Sequence, residues 1–210
     1  MAEIVESNAQ IQNMIEEEIK RQLQLRVSQA GKRMERELRS LFQNTIRNTP
    51  AYESLISGQL RDEFGLIAPD RKLGRIVRRW MSTIKVEVGR IKFSGDEAKS
   101  VITIRGVEGD WQDVLSLQEA RQLTEKGQEL EWLQWLLIEG DKVIIRDYHI
   151  ELAQSDKKGR AGRYIMAPRG RWSVPSQYSG TANNNFVTQA IDSIEKKIES
   201  IVEENIKRFL

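Results

Sequence analysis

The feature that most constrains this chain is the spacing of apolar residues between Ala9 and Arg47. Ile11, Ile15, Ile19, Leu23, Val27, Ala30, Met34, Leu38 and Leu41 recur at steps of three and four, which places them on one stripe of an α-helix. No proline interrupts the run. At 1.5 Å per residue such a helix would extend about 58 Å, whereas a compact chain of this size is roughly 43 Å across. Three outcomes follow. Gly31, which costs about 1 kcal/mol inside a helix, divides the run into two shorter helices, or one end projects and its apolar stripe needs a neighbouring subunit, or the helix bends and stays wholly inside its own fold.

Thr49-Pro50 opens a second helix, with Thr49 as N-cap and Pro50 at the first helical position, where a missing N–H does no harm. Tyr52, Leu55, Ile56, Leu60 and Phe64 form its apolar face, and Gly65 reads as its C-terminal cap. Pro69 to Arg75 has the composition of a cation-rich turn. From Trp80 the period changes to alternation. Ile84, Val86, Val88 and Ile91 to Phe93 suggest one strand, and Val101 to Ile104 the next, joined across Ser94 to Glu97. Asp110 to Ser116 fits no single pattern, Leu117 to Leu137 reads as a helix interrupted at Gly127, and Val143 to Ile150 forms a strand whose partner is Tyr164 to Ala167. A loop rich in Gly, Pro, Ser and Asn then leads into one amphipathic helix with Phe186, Ala190, Ile191, Ile194, Ile198, Ile201, Val202, Ile206 and Phe209 on its stripe. The expected fold class is α+β: an antiparallel β-sheet flanked by a long N-terminal helix, a middle helix and a C-terminal amphipathic helix. Residues 1–48 would form the long helix and 49–210 a single domain.

Composition narrows the function classes. With 33 Lys+Arg against 31 Asp+Glu the net charge is +2, so any contact with a polyanion must come from local clusters. There is no cysteine, which excludes disulfides, thiolate chemistry and cysteine-ligated zinc. Met1 is not followed by a basic segment and an apolar run, so no signal peptide is expected, and the longest apolar cluster, Trp132 to Ile138, is too short to span a bilayer. A soluble protein that stays where it is made is the expectation.

Two cation clusters stand out. Lys157, Lys158, Arg160, Arg163, Arg169 and Arg171 follow Asp156 with no further acid, and Arg71, Lys72, Arg75, Arg78 and Arg79 form the second group. Either could track a phosphate backbone, be solvated, or face an acidic neighbouring subunit. The one histidine, His149, lies two residues from Glu151 on an expected strand, hence on the same face, but without a third ligand in register the arrangement reads as structural. Asp141, Lys142 and Asp147 have no recognisable nuclease spacing, and no Ser/His/Asp set, Walker loop or zinc pattern is present. No catalytic residue, cofactor or metal site is therefore expected. Trp132 and Trp135, flanked by Leu133, Leu136 and Leu137, carry more apolar width than one helix stripe needs, which makes Trp132, Trp135 and Leu136 candidates for a subunit interface.

Three short patterns occur in order: Ser57-Gly58-Gln59-Leu60-Arg61; Trp135-Leu136-Leu137-Ile138-Glu139-Gly140; and Gly180-Thr181 with Asn184-Asn185-Phe186-Val187-Thr188-Gln189-Ala190-Ile191. Together they resemble the neck and tail-completion proteins of tailed bacteriophages, the head–tail joining family related to tail terminators. The chain departs from that family's pattern in its longer N-terminal helix and in Asp141, where Gly140 is commonly followed by Thr. The resemblance implies a non-enzymatic subunit of a homo-oligomeric ring that joins the portal complex to the tail around the DNA channel. Its partners would be copies of itself, portal and tail proteins and DNA in transit, with no membrane. Its place would be the virion, assembled in the host cytoplasm.

Overall fold

The computed structural model describes residues 7–94, 97–106, 111–123, 127, 129–153 and 164–209. The protein is α+β, with a long N-terminal helix and small antiparallel strand pairs. Among the described residues no helix is long and apolar enough to cross a membrane. Its contacts group into two units: Met1–Leu38, Ile84–Gly106 and Lys196–Leu210 in one, Arg39–Thr83 and Val107–Glu195 in the other. Where the sequence suggested a division at residue 48, the grouping draws its boundaries inside the first helix and again near residues 84, 106 and 195.

Helix α1 (Asn8–Arg47) is one unbroken run of 40 residues. Gly31 does not divide it. A β-carbon at Gly31 would lie 2.6 Å from a γ-methyl of Val88, so the glycine is a notch that lets a strand approach the helix closely. That strand, β1 (Lys85–Val88), pairs antiparallel with β4 (Ile102–Arg105), and β2 (Lys92–Ser94) pairs with β3 (Glu97–Lys99). The expected hairpin is thus present, but in two ladders. Between them α1 replaces the missing strand bonds: the Gln24 side chain accepts from Ile91 N at 2.9 Å and donates to Gly89 O at 3.4 Å. Further along, a Glu35 carboxylate oxygen accepts from Val86 N at 3.1 Å. Helix α8 (Glu195–Phe209) joins the same unit through Asn205, which donates to the Glu37 carboxylate at 2.6 Å and to Ile201 O at 2.9 Å.

In the second unit Thr49 caps α2 (Pro50–Ser57), accepting from Tyr52 N at 3.2 Å. The helix expected to run on to Gly65 is interrupted at Gly58, because Ser54 Oγ accepts from Leu60 N at 3.0 Å and a β-carbon on Gly58 would meet Ser54 Cα at 2.8 Å. Helix α3 (Gln59–Glu63) restarts beyond the break and closes at Gly65 (φ +62°), with Leu66 N donating to Arg61 O at 2.9 Å.

The expected cation-rich turn at 69–75 is a helix instead, α4 (Pro69–Thr83). Pro69 sits at its start, where proline is tolerated, and Leu73, Ile76, Val77, Trp80 and Met81 are buried at helical spacing. Trp80 therefore closes a helix rather than opening a strand. The expected helix at 117–137 is also replaced. Helix α5 (Gln112–Leu115), a 3-10 turn at Gln118–Ala120, the two-residue ladder of β5 (Gln122–Leu123) with β6 (Glu129–Leu130), and the short α6 (Trp132–Leu137) occupy the region. Tertiary bonds decide this: Trp132 Nε1 donates to Glu119 O at 3.1 Å, and the buried Gln122 side chain accepts from Lys72 Nζ at 2.9 Å.

The strand pair expected near Tyr148 and Tyr164 is present, as β7 (Ile145–Leu152), shifted two residues along the chain, and β8 (Tyr164–Trp172), which runs on past Ala167. The single C-terminal helix is two. Helix α7 (Phe186–Asp192) ends at Ser193, whose Oγ donates to Ala190 O at 2.7 Å, and α8 follows from Glu195.

Candidate interaction surfaces

The second and third sequence patterns that carry the family resemblance meet in one place. Gly140 N donates to Gly180 O at 3.2 Å, and a β-carbon on Gly140 would come within 2.7 Å of Gly180 N. Neither position has room for a side chain, since a β-carbon on Gly180 would stand 2.7 Å from Asn185 Cβ. Asn185, almost wholly buried, is the hub: its Oδ1 caps α7 by accepting from Val187 N and Thr188 N, and its Nδ2 donates to Thr181 O at 3.0 Å and to Leu137 O at 3.3 Å. The first pattern does not join them directly: its Gln59 Oε1 accepts from Gln177 at 3.4 Å, upstream of the third, and Phe64, just beyond its end, has its ring 6.4 Å from that of Trp135. These residues position backbone against backbone, which is a folding role.

Around this joint Phe64, Trp132, Trp135 and Trp172 form an aromatic cluster with ring centroids 5.7 to 6.4 Å apart. Two of the expected interface residues, Trp132 and Trp135, belong to this cluster. Trp132 and Leu136 are fully buried within the protomer, leaving no surface for a neighbour, and only Trp135 is partly accessible. The half-buried Glu63 completes the cluster by accepting from Trp172 Nε1 at 3.1 Å and from Gln59. Burial raises its carboxyl above the usual carboxylate range, against the pull of those two hydrogen bonds.

The cations of α4 are mostly engaged. Lys72 Nζ donates to Arg121 O and to Gln122, Arg75 pairs with Glu119, and Arg79 lies 3.0 Å from Asp113. The carboxyl of Glu119 is held below its ordinary range, first by its own backbone N–H and then by Arg75 and Lys72. Arg71 and Arg78 remain exposed. Lys157, Lys158, Arg160 and Arg163 lie outside the described residues.

Arg169 and Arg171 lie exposed on β8. The register brings to them a residue that sequence spacing missed: Arg146 stands directly opposite Arg171, so two like charges face each other across the ladder. Just beyond is a bulge, where Asp147 and Arg169 both have φ of +69°. No acidic side chain among the described residues pairs with Arg146, Arg169 or Arg171. His149 Nε2 lies 3.3 Å from Glu151, while the ring packs against Gly170, where a β-carbon would be 2.7 Å from His149 Cβ. Among the described residues no group of three His, Cys, Asp or Glu side chains is placed to hold a metal, so His149, Asp147 and Asp141 do not assemble into one.

No protein-family model matches this chain, and neither does any curated protein or solved structure. The surfaces must be read from their own chemistry.

One face of β7–β8 is open. Trp172, opposite Ile145, is buried, whereas the alternate positions Tyr148, Ile150 and Leu152, facing Pro168, Met166 and Tyr164, form an apolar strip that includes three exposed large apolar side chains, Tyr148, Leu152 and Met166. In the other unit the stripe of α1 is covered unevenly. Ala30, Met34 and Leu38 are buried, Leu23 and Val27 are half-buried beside a cavity of about 170 Å³, and Ile15 and Ile19 are exposed.

Proposed function

We propose that this chain is a non-enzymatic structural subunit of a bacteriophage neck, a head–tail connector or tail-completion ring that joins the portal complex to the tail around the DNA channel. The observation that carries the reading is the meeting of the second and third family-like patterns at one joint, built on Gly140, Gly180 and Asn185. Two short patterns matched by chance have no reason to share hydrogen bonds. A second support is the apolar surface on β7–β8 and on the first turns of α1, which suits a protein that functions in an assembly. The partners under this reading are copies of itself, the portal and tail proteins, and DNA in transit, in a particle assembled in the host cytoplasm.

The second reading, a nucleic-acid-binding module, is favoured by one observation, the unneutralised Arg146–Arg171 pair on an exposed ladder. The engagement of Lys72, Arg75 and Arg79 by protein groups weighs against it. Sedimentation of the purified chain, followed by negative-stain imaging, separates the two. Closed rings with a central channel support the neck reading. A monomer at all concentrations that retards DNA in a salt-dependent manner replaces it with the nucleic-acid reading.

A further inference from the structure

The stripe of α1 continues past the region its own unit covers. Ile15 and Ile19 lie four residues apart, in register with Leu23, Val27, Ala30 and Met34, yet they are 55% and 50% exposed, and Met14 beside them is 49% exposed. Glu16, Glu17 and Glu18 flank this end, and no cation appears on the helix before Lys20. Glu18 is occupied by Arg21 and Gln22, and Glu16 lies 4.0 Å from Lys20, but Glu17 has no described partner. The outer face of β7–β8 is the converse surface. Tyr148, Leu152 and Met166 are 47%, 64% and 49% exposed, and near one end of the ladder Arg146 and Arg171 pair with no acidic side chain among the described residues. Tyr, Met and Arg are the residues that protein interfaces favour, and an exposed Leu and Met are not what a phosphate backbone selects.

We propose that these are the two halves of one contact between copies: the first turns of α1 of one copy lie along the outer face of β7–β8 of the next, with Ile15 and Ile19 on Tyr148, Leu152 and Met166, and the glutamates toward Arg146 and Arg171. The lengths match. Thirteen residues of helix from Ile11 to Leu23 span about 20 Å, and the seven ladder positions from Arg146 to Leu152 about 23 Å. Acid meets base, Glu17 and the arginines lacking a partner among the described residues, which orients the contact and suppresses pairing of either surface with itself. Because the two surfaces differ, the contact is head-to-tail and propagates from copy to copy until it closes. This inference rests on the ring reading and names the surfaces that would build the ring.

The absence of cysteine makes the test clean. Ile19→Cys and Met166→Cys are prepared separately, as chains of distinguishable size, mixed and oxidised mildly. A disulfide-linked heterodimer that forms only in the mixture is the expected result. A mixture that stays unlinked, or Ile19→Cys linking to itself as readily, overturns the contact. In parallel, Arg146→Glu with Arg171→Glu should weaken self-association about tenfold or more at unchanged helix content. Mixing that variant with Glu16→Lys/Glu17→Lys should restore association. Failure of the charge swap to restore it overturns the contact. So does a variant that assembles normally but no longer retards DNA, which would make the face a nucleic-acid surface. Rings that persist without the cross-link leave the ring reading standing and overturn only this contact, whereas a monomer throughout removes both.

Discussion

The two units are built on different principles. In Arg39–Thr83 with Val107–Glu195, the core is aromatic and close-packed: Trp80, Trp111, Trp132 and Trp172 are buried, and the indole N–H of Trp111, Trp132 and Trp172 each reaches an acceptor. In Met1–Leu38 with Ile84–Gly106 and Lys196–Leu210, the buried apolar side chains among the described residues are four, Ala30, Met34, Leu38 and Ile84, and a cavity lies beside them. Polar side chains of α1 hold that unit instead, with Gln24 and Glu35 bonded to strand backbone and Glu37 to Asn205. An aromatic core resists local opening, while a helix anchored through a few hydrogen bonds, each worth about 1 kcal/mol net, can adjust its exposed end to a partner.

The contrast can be broken most directly at Ile194, 2% exposed between α7 and α8. Ile194→Asp buries a carboxylate at a cost of several kcal/mol, and we expect loss of soluble folded protein. A soluble variant with normal circular dichroism would remove the aromatic unit's claim to a tight core. Next in size, Trp132→Ala should cost about 3–5 kcal/mol in urea unfolding, against about 2 kcal/mol for Met34→Ala, whose site already adjoins empty space. Equal costs would erase the distinction.

Gly140→Ala should cost about 1–3 kcal/mol, because the added methyl meets the backbone of Gly180 and cannot be relieved by a rotamer change. Gly31→Ala tests the other unit with a smaller effect. Helix propensity favours alanine by about 1 kcal/mol, but its methyl meets Val88 Cγ2 at 2.6 Å. The single variant is therefore expected to be destabilised slightly, and the double variant with Val88→Ala to recover that loss, a coupling read by a double-mutant cycle.

The smallest expected effect is one of pH. The raised carboxyl of Glu63 contributes stability that is complete below the unfolded-state value of about 4.3 and is lost as pH rises through its folded value. The depressed carboxyls of Glu119 and Glu37 act the opposite way, stabilising above that value and losing their contribution as pH falls through their folded values. Glu63→Gln should flatten the decline on the alkaline side of pH 4.3 and leave the acid limb unchanged, as followed by thermal unfolding from pH 3 to about 8.

Much of the secondary structure was legible because periodicity is a local property. The steps of four and three in α1, the Thr49-Pro50 start of α2, the reversal at Gly65 and the alternation in β7 each follow from backbone geometry that neighbouring residues express. The site was less legible. Arg146 could not be matched with Arg171 from spacing, because a bulge at Asp147 sets the register, and Trp132 and Leu136 look like interface on a helical wheel although the protomer's own core surrounds them.

What the chain alone determined, then, is the identity and direction of its longest helix, the absence of thiol chemistry and the α+β class, since each depends on residue type and spacing. Only tertiary structure decided where helices break. Ser54 claims Leu60 N–H across Gly58, Glu119 O claims the Trp132 indole, and Gln24 completes a gap in a strand ladder. These bonds join residues whose proximity no local pattern encodes. A buried donor left unpaired costs more than a local propensity can supply, so the distant partner prevails wherever the two compete.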